Sequence, residues 1–106
     1  MLFTFYILNI IHLMLFKKDD LLGSYNWIEE DTSIYKDTPT RRRFDRFNGN
    51  QVLFMINLCG SAVENFSIAQ GQDFERVLLK NLPLKTGSEI SVFNWLQNFE
   101  ETEVSQ

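Results

Sequence analysis

The stretch NGNQVLFMINLCGSAVENF, residues 48–66, supports two readings, and the choice between them decides the fold. As a helix, Val52, Met55, Ile56, Cys59, Val63 and Phe66 recur at spacings of three and four on one apolar stripe, which Leu53 and Leu58 widen. Asn48, followed three residues later by Gln51, has the form of a capping pair in which Asn48 receives a backbone N–H and Gln51 reaches back. As a strand, VLFMINL at 52–58 is a run of high β-propensity that Gly60 would end. The helical reading accounts for the longer stretch and predicts a helix from Asn48 to about Asn65. The strand reading would make the chain α+β.

Downstream, Phe74, Val77, Leu78 and Leu82 mark a second helix, with Asp73 and Glu75 near its start, Lys80 in its last turn and Pro83 as its stop. A third follows Gly87, where Ser88 can cap and Val92, Leu96 and Phe99 form a stripe that frays into Glu100, Glu101 and Glu103. Upstream, residues 17–47 carry Tyr25, Trp27, Ile28, Ile34 and Tyr35 without a sustained period, amid turn-forming Thr32, Ser33, Asp37, Thr38 and Pro39. The expected fold is therefore all-α: a small three-helix bundle at 48–106 with an acidic tail, preceded by an extended or irregular arm at 17–47. A chain of 106 residues fits one such domain.

Residues 1–16, MLFTFYILNIIHLMLF, are apolar at all but Thr4, Asn9 and His12. A membrane-spanning helix needs roughly 20 residues to cross about 30 Å, and sixteen reach only about 24 Å. The basic residues Lys17 and Lys18 follow the run and no small-residue cleavage site succeeds it, so the pattern is not that of a secretory signal. Three readings stand for this segment: a short anchor with its amino terminus outside, a helix that packs on the domain or a partner, or an extension upstream of a start at Met14.

The net charge of −4 is unevenly distributed. Residues 17–47 hold seven basic and seven acidic side chains, whereas 48–106 hold three basic against seven acidic. An acidic chain is a poor general ligand for duplex nucleic acid, so any such binding would be local. The single cysteine, Cys59, excludes an intramolecular disulfide and lies on the apolar stripe, where it reads as a small buried hydrophobe. His12 has no second histidine or nearby carboxylate to make it a ligand or a base. Glu29, Glu30 and Asp31 lack the spacing of a calcium loop and read as solvated surface. No phosphate-binding glycine loop, nucleophile elbow or paired-cysteine zinc pattern occurs. Neither a catalytic role nor a cofactor or metal is expected.

One cluster has a physical case for binding: RRRFDRF, residues 41–47, immediately before the first helix start. Exposed backbone N–H groups and the positive end of the helix dipole would stand beside Arg41, Arg42, Arg43 and Arg46, whose guanidinium groups grip carboxylate or phosphate with paired hydrogen bonds. Phe44 and Phe47 interleave with the arginines, either stacking on a partner or plugging into the core, and Phe44 with Trp27 on the arm is the expected aromatic contact. Asp45 and the acidic arm and tail compete for the same arginines as internal salt bridges. The expectation is a small non-enzymatic, cytoplasmic interaction domain whose partner is an acidic protein surface, with a nucleic-acid strand second. The alternative is a membrane-anchored protein, held through residues 1–16, with its helical domain in the cytoplasm.

Overall fold

The structure, a computed structural model, describes residues 16–104. The three readings of the apolar amino-terminal segment concern residues that lie almost entirely outside that range. Three helices pack against one another: α1 (Gly49–Gly60), α2 (Ile68–Asn81) and α3 (Glu89–Val104). Among the described residues there is no strand, only two isolated bridges, and no helix is long and apolar enough to cross a membrane.

The ambiguous stretch is helical. Asn48 remains extended and its side chain accepts from the N–H groups of Asn50 and Gln51, satisfying two donors that a helix start leaves open. Val52, Met55, Ile56 and Cys59 are buried on one stripe, facing Phe74, Leu78 and Leu82 of the second helical segment and Val92 and Leu96 of α3. The helix stops at Gly60, not at Asn65. Ser61 Oγ donates to the carbonyl of Leu58, Ala62 and Val63 close a turn, and Asn65 adopts a left-handed φ of 58°. This reversal returns Phe66 onto Gly60, where its ring fills the space a Cβ would need. Phe66 thus enters the core from beyond the turn, not as a continuation of the stripe.

The second helix starts six residues ahead of Phe74. Ser67 and Gln70 form a reciprocal capping box: Ser67 Oγ accepts from the Gln70 N–H, and Gln70 Oε1 accepts from the Ser67 N–H. Gly71 in its first turns lets the Phe16 ring lie directly on the helix backbone. Ser88 caps α3 through the Ser91 N–H, and that helix runs on through the acidic tail to Val104.

The arm is irregular, with short 3-10 turns at Lys18–Asp20 and Thr32–Ile34. What ties it to the bundle are two glutamates with no exposed surface. Glu75 on α2 accepts from the Leu22 and Gly23 N–H groups and from the Tyr25 hydroxyl. Glu89, the first residue of α3, accepts from the Thr40 N–H and hydroxyl, from Arg42 Nη1 and from Gln51 Nε2. A buried carboxylate is costly unless its lone pairs are all engaged, and here the donors come mostly from the arm.

Candidate binding edge

Residues 40–44 run antiparallel to 87–90. Phe44 N–H donates to Gly87 O, Glu89 N–H to Arg42 O, and Ile90 N–H to Thr40 O. Gln51 completes the frame. Instead of reaching back to Asn48, its Oε1 accepts from the Asp45 N–H while its Nε2 donates to Arg43 O and to Glu89. The basic segment is therefore held on both sides by backbone pairing and by one buried side chain.

The frame separates the four arginines. Arg42 turns inward, pairs with Glu89 at 2.9 Å and places its guanidinium over the Tyr35 ring. Burial alone would raise the Glu89 pKa, but the hydrogen bonds from Gln51, Thr40 and Arg42 outweigh it and hold the carboxyl below the usual glutamate range. Arg46 donates through Nη2 to Leu82 O and Pro83 O, satisfying carbonyls that the end of α2 leaves open. Arg41 and Arg43 keep exposed side chains. Phe44 is buried in the core, so its ring is not presented to a partner. The aromatic residue offered on this segment is Phe47, 61% exposed, which the residue pattern did not distinguish from Phe44.

Trp27 lies about a third exposed, with one face on Gly49, the Tyr25 ring edge-on at 6.2 Å and the Lys18 ammonium 4.2 Å from its centroid. Its segment is joined to the helix start through Asn26, which donates to Phe47 O and accepts from the Gly49 N–H. Trp27 thus stands on the start of α1 through Gly49, and not among the exposed Arg41 and Arg43 side chains.

Of the acidic group on the arm, Glu29 and Asp31 are exposed and Glu30 is tied to the start of α1. Glu30 accepts from the Tyr35 hydroxyl and from the side-chain amides of Asn48 and Asn50, and its carboxyl is held below its usual range chiefly by the Tyr35 bond. Asp31 caps the second 3-10 turn through Ser33, whose hydroxyl and N–H lower its carboxyl. Between that turn and α1 lies an open groove of about 710 Å³, floored by Leu53, Phe54 and Leu58 and rimmed by Tyr35, Lys36 and Asn57. Cys59 is buried in the core. No group of histidine, cysteine and carboxylate side chains that could hold a metal occurs among the described residues.

No family model, curated protein or solved structure matches this chain.

Proposed function

We propose that the chain is a small non-enzymatic interaction domain, working in a reducing cytoplasmic setting, that meets an acidic protein surface through its 41–47 edge. The observation that carries this reading is the division of labour among the arginines. Arg42 and Arg46 are consumed in holding the segment, which leaves Arg41 and Arg43 exposed on backbone that is already fixed. Fixed backbone lowers the ordering entropy that binding would otherwise have to overcome. The exposed guanidinium groups suit carboxylates, which they can engage with two parallel hydrogen bonds.

The test is fluorescence anisotropy with a labelled glutamate-rich peptide and, separately, a labelled single-stranded oligonucleotide. Replacing Arg41 and Arg43 together by Ala should weaken peptide binding while leaving the thermal midpoint almost unchanged, because exposed charges contribute only about 0–1 kcal/mol each to stability. Peptide binding that survives the double replacement would sink the proposal. Binding of the oligonucleotide alone, with a log–log salt slope that shrinks by about 0.7 per arginine removed, would transfer the site to nucleic acid.

A further inference from the structure

The bundle buries one face of α1 and leaves another open. Val52, Met55, Ile56 and Cys59 are turned to the core, whereas Asn50, Leu53, Phe54, Asn57, Leu58 and Ser61 follow spacings of three and four along the side that lines the 710 Å³ groove. Leu53 and Phe54 pack on the core from its edge and are only partly buried, and the Tyr35 ring stands 5.7 Å from that of Phe54. The groove therefore has an apolar floor three helical turns long, with exposed Thr32, Lys36 and Asp37 at its rim. Its wall also holds the point where the chain enters the domain. The Phe16 ring is fixed on Gly71 and beside Phe66, and the Phe16 carbonyl accepts from Asn57 Nδ2 at 3.0 Å. On the same amide, Asn57 Oδ1 is out of contact with solvent and has no hydrogen-bond partner among the described residues. A buried acceptor of this kind is costly until a donor meets it.

We infer that residues 1–15 fold back into this groove as its intramolecular occupant, laying apolar side chains on Leu53, Phe54 and Leu58 and supplying a donor to Asn57 Oδ1. The chemistry matches, because the segment is apolar at all but Thr4, Asn9 and His12. So does its reach: fifteen residues extend about 22 Å even as a helix, against about 16 Å for three turns of α1. Joined to the domain at a residue bonded to the groove wall, the segment has an effective local concentration in the millimolar range, which a free partner would have to exceed. This occupancy does not depend on the arginine edge. It makes the apolar run part of the domain's own packing and takes it out of the membrane.

The test uses the full chain carrying Cys59→Ala, with a nitroxide attached through Thr32→Cys on the groove rim or, as a control, through Lys85→Cys in the exposed loop after α2. The rim label should broaden the amide resonances of residues 2–10, and the control label should leave them sharp. Broadening by neither label, or equally by both, overturns the proposal. Broadening that persists between a labelled copy and a separate isotope-enriched copy makes a second molecule the occupant and overturns it as well. In hydrogen exchange read by mass spectrometry, Phe54→Glu should speed exchange in residues 1–15 by about tenfold or more while the circular dichroism spectrum is kept. Unchanged exchange in that folded variant counts against the groove, and the nitroxide measurement stands if the variant folds poorly. Phosphatidylcholine vesicles supply the remaining arm: the full chain should stay in the aqueous phase on flotation. Flotation with loss of the rim label's effect assigns the segment to the bilayer and overturns the proposal.

Discussion

Glu75 and Glu89 are both fully buried, yet their surroundings differ in kind. Glu75 is met by two amides and a phenol, all neutral donors, whereas Glu89 has a guanidinium at 2.9 Å as well as amide and hydroxyl donors. Burial, then the hydrogen bond to Glu75 and its charge, push the Tyr25 phenol well above the ordinary tyrosine value. Glu89→Ala would strand Arg42, Gln51 and Thr40 without their acceptor, so it should destabilise by about 3–5 kcal/mol in urea unfolding. A change below about 1 kcal/mol would show that the clasp is dispensable. Because the Glu89 carboxyl is lowered in the folded state, its contribution is complete above the unfolded value near ~4.3 and is lost as pH falls through the lower folded value. The urea midpoint should therefore drop below about pH 4.3, and Glu89→Gln should make that drop shallower. Glu30 and Asp31, also lowered, act in the same direction and account for acid sensitivity that survives the replacement.

At the level of elements, Gly60 presents a conflict that magnitudes resolve. Alanine gains up to about 1 kcal/mol over glycine within a helix, but a Cβ here would overlap the Phe66 ring, and overpacking a core costs about 1–3 kcal/mol. Gly60→Ala should lower the urea midpoint, and a rise would mean that the ring yields easily. Asn48→Ala, which removes the cap of α1, should cost about 1 kcal/mol in the same assay. The three helices were legible because Val52, Ile56, Leu78, Val92 and Leu96 keep helical spacing in a chain with clear caps. The early stop of α1 was not, since it depends on Phe66 finding Gly60 across a turn. The early start of α2 was written in Ser67 and Gln70, a capping box that the more conspicuous Asp73 and Phe74 obscured. Among the candidate site residues, nothing local distinguishes Arg42 from Arg41 or Arg43. Only the position of Glu89, 47 residues away, turns one inward and leaves the others in solvent.

For the whole molecule, the question is whether the arm is an appendage or part of the cooperative unit. Irregular segments with few backbone hydrogen bonds commonly open ahead of the core. This arm, however, supplies the donors to two buried carboxylates that the bundle cannot satisfy alone, and it contributes Phe44 to the core. Releasing it would expose or strand Glu75 and Glu89, so opening the arm carries a large share of the free energy of unfolding the bundle. The two tryptophans make this measurable, since Trp27 lies on the arm and Trp95 on α3, packed against Phe99 and the core. Trp95→Phe leaves Trp27 as the sole reporter, and Trp27→Phe leaves Trp95. After correction for the stability change of each replacement by circular dichroism, each variant's fluorescence transition in urea should coincide with its own helical transition, as two-state unfolding requires. A Trp27 signal that changes at clearly lower urea than the helical signal of the same variant would show the arm detaching first.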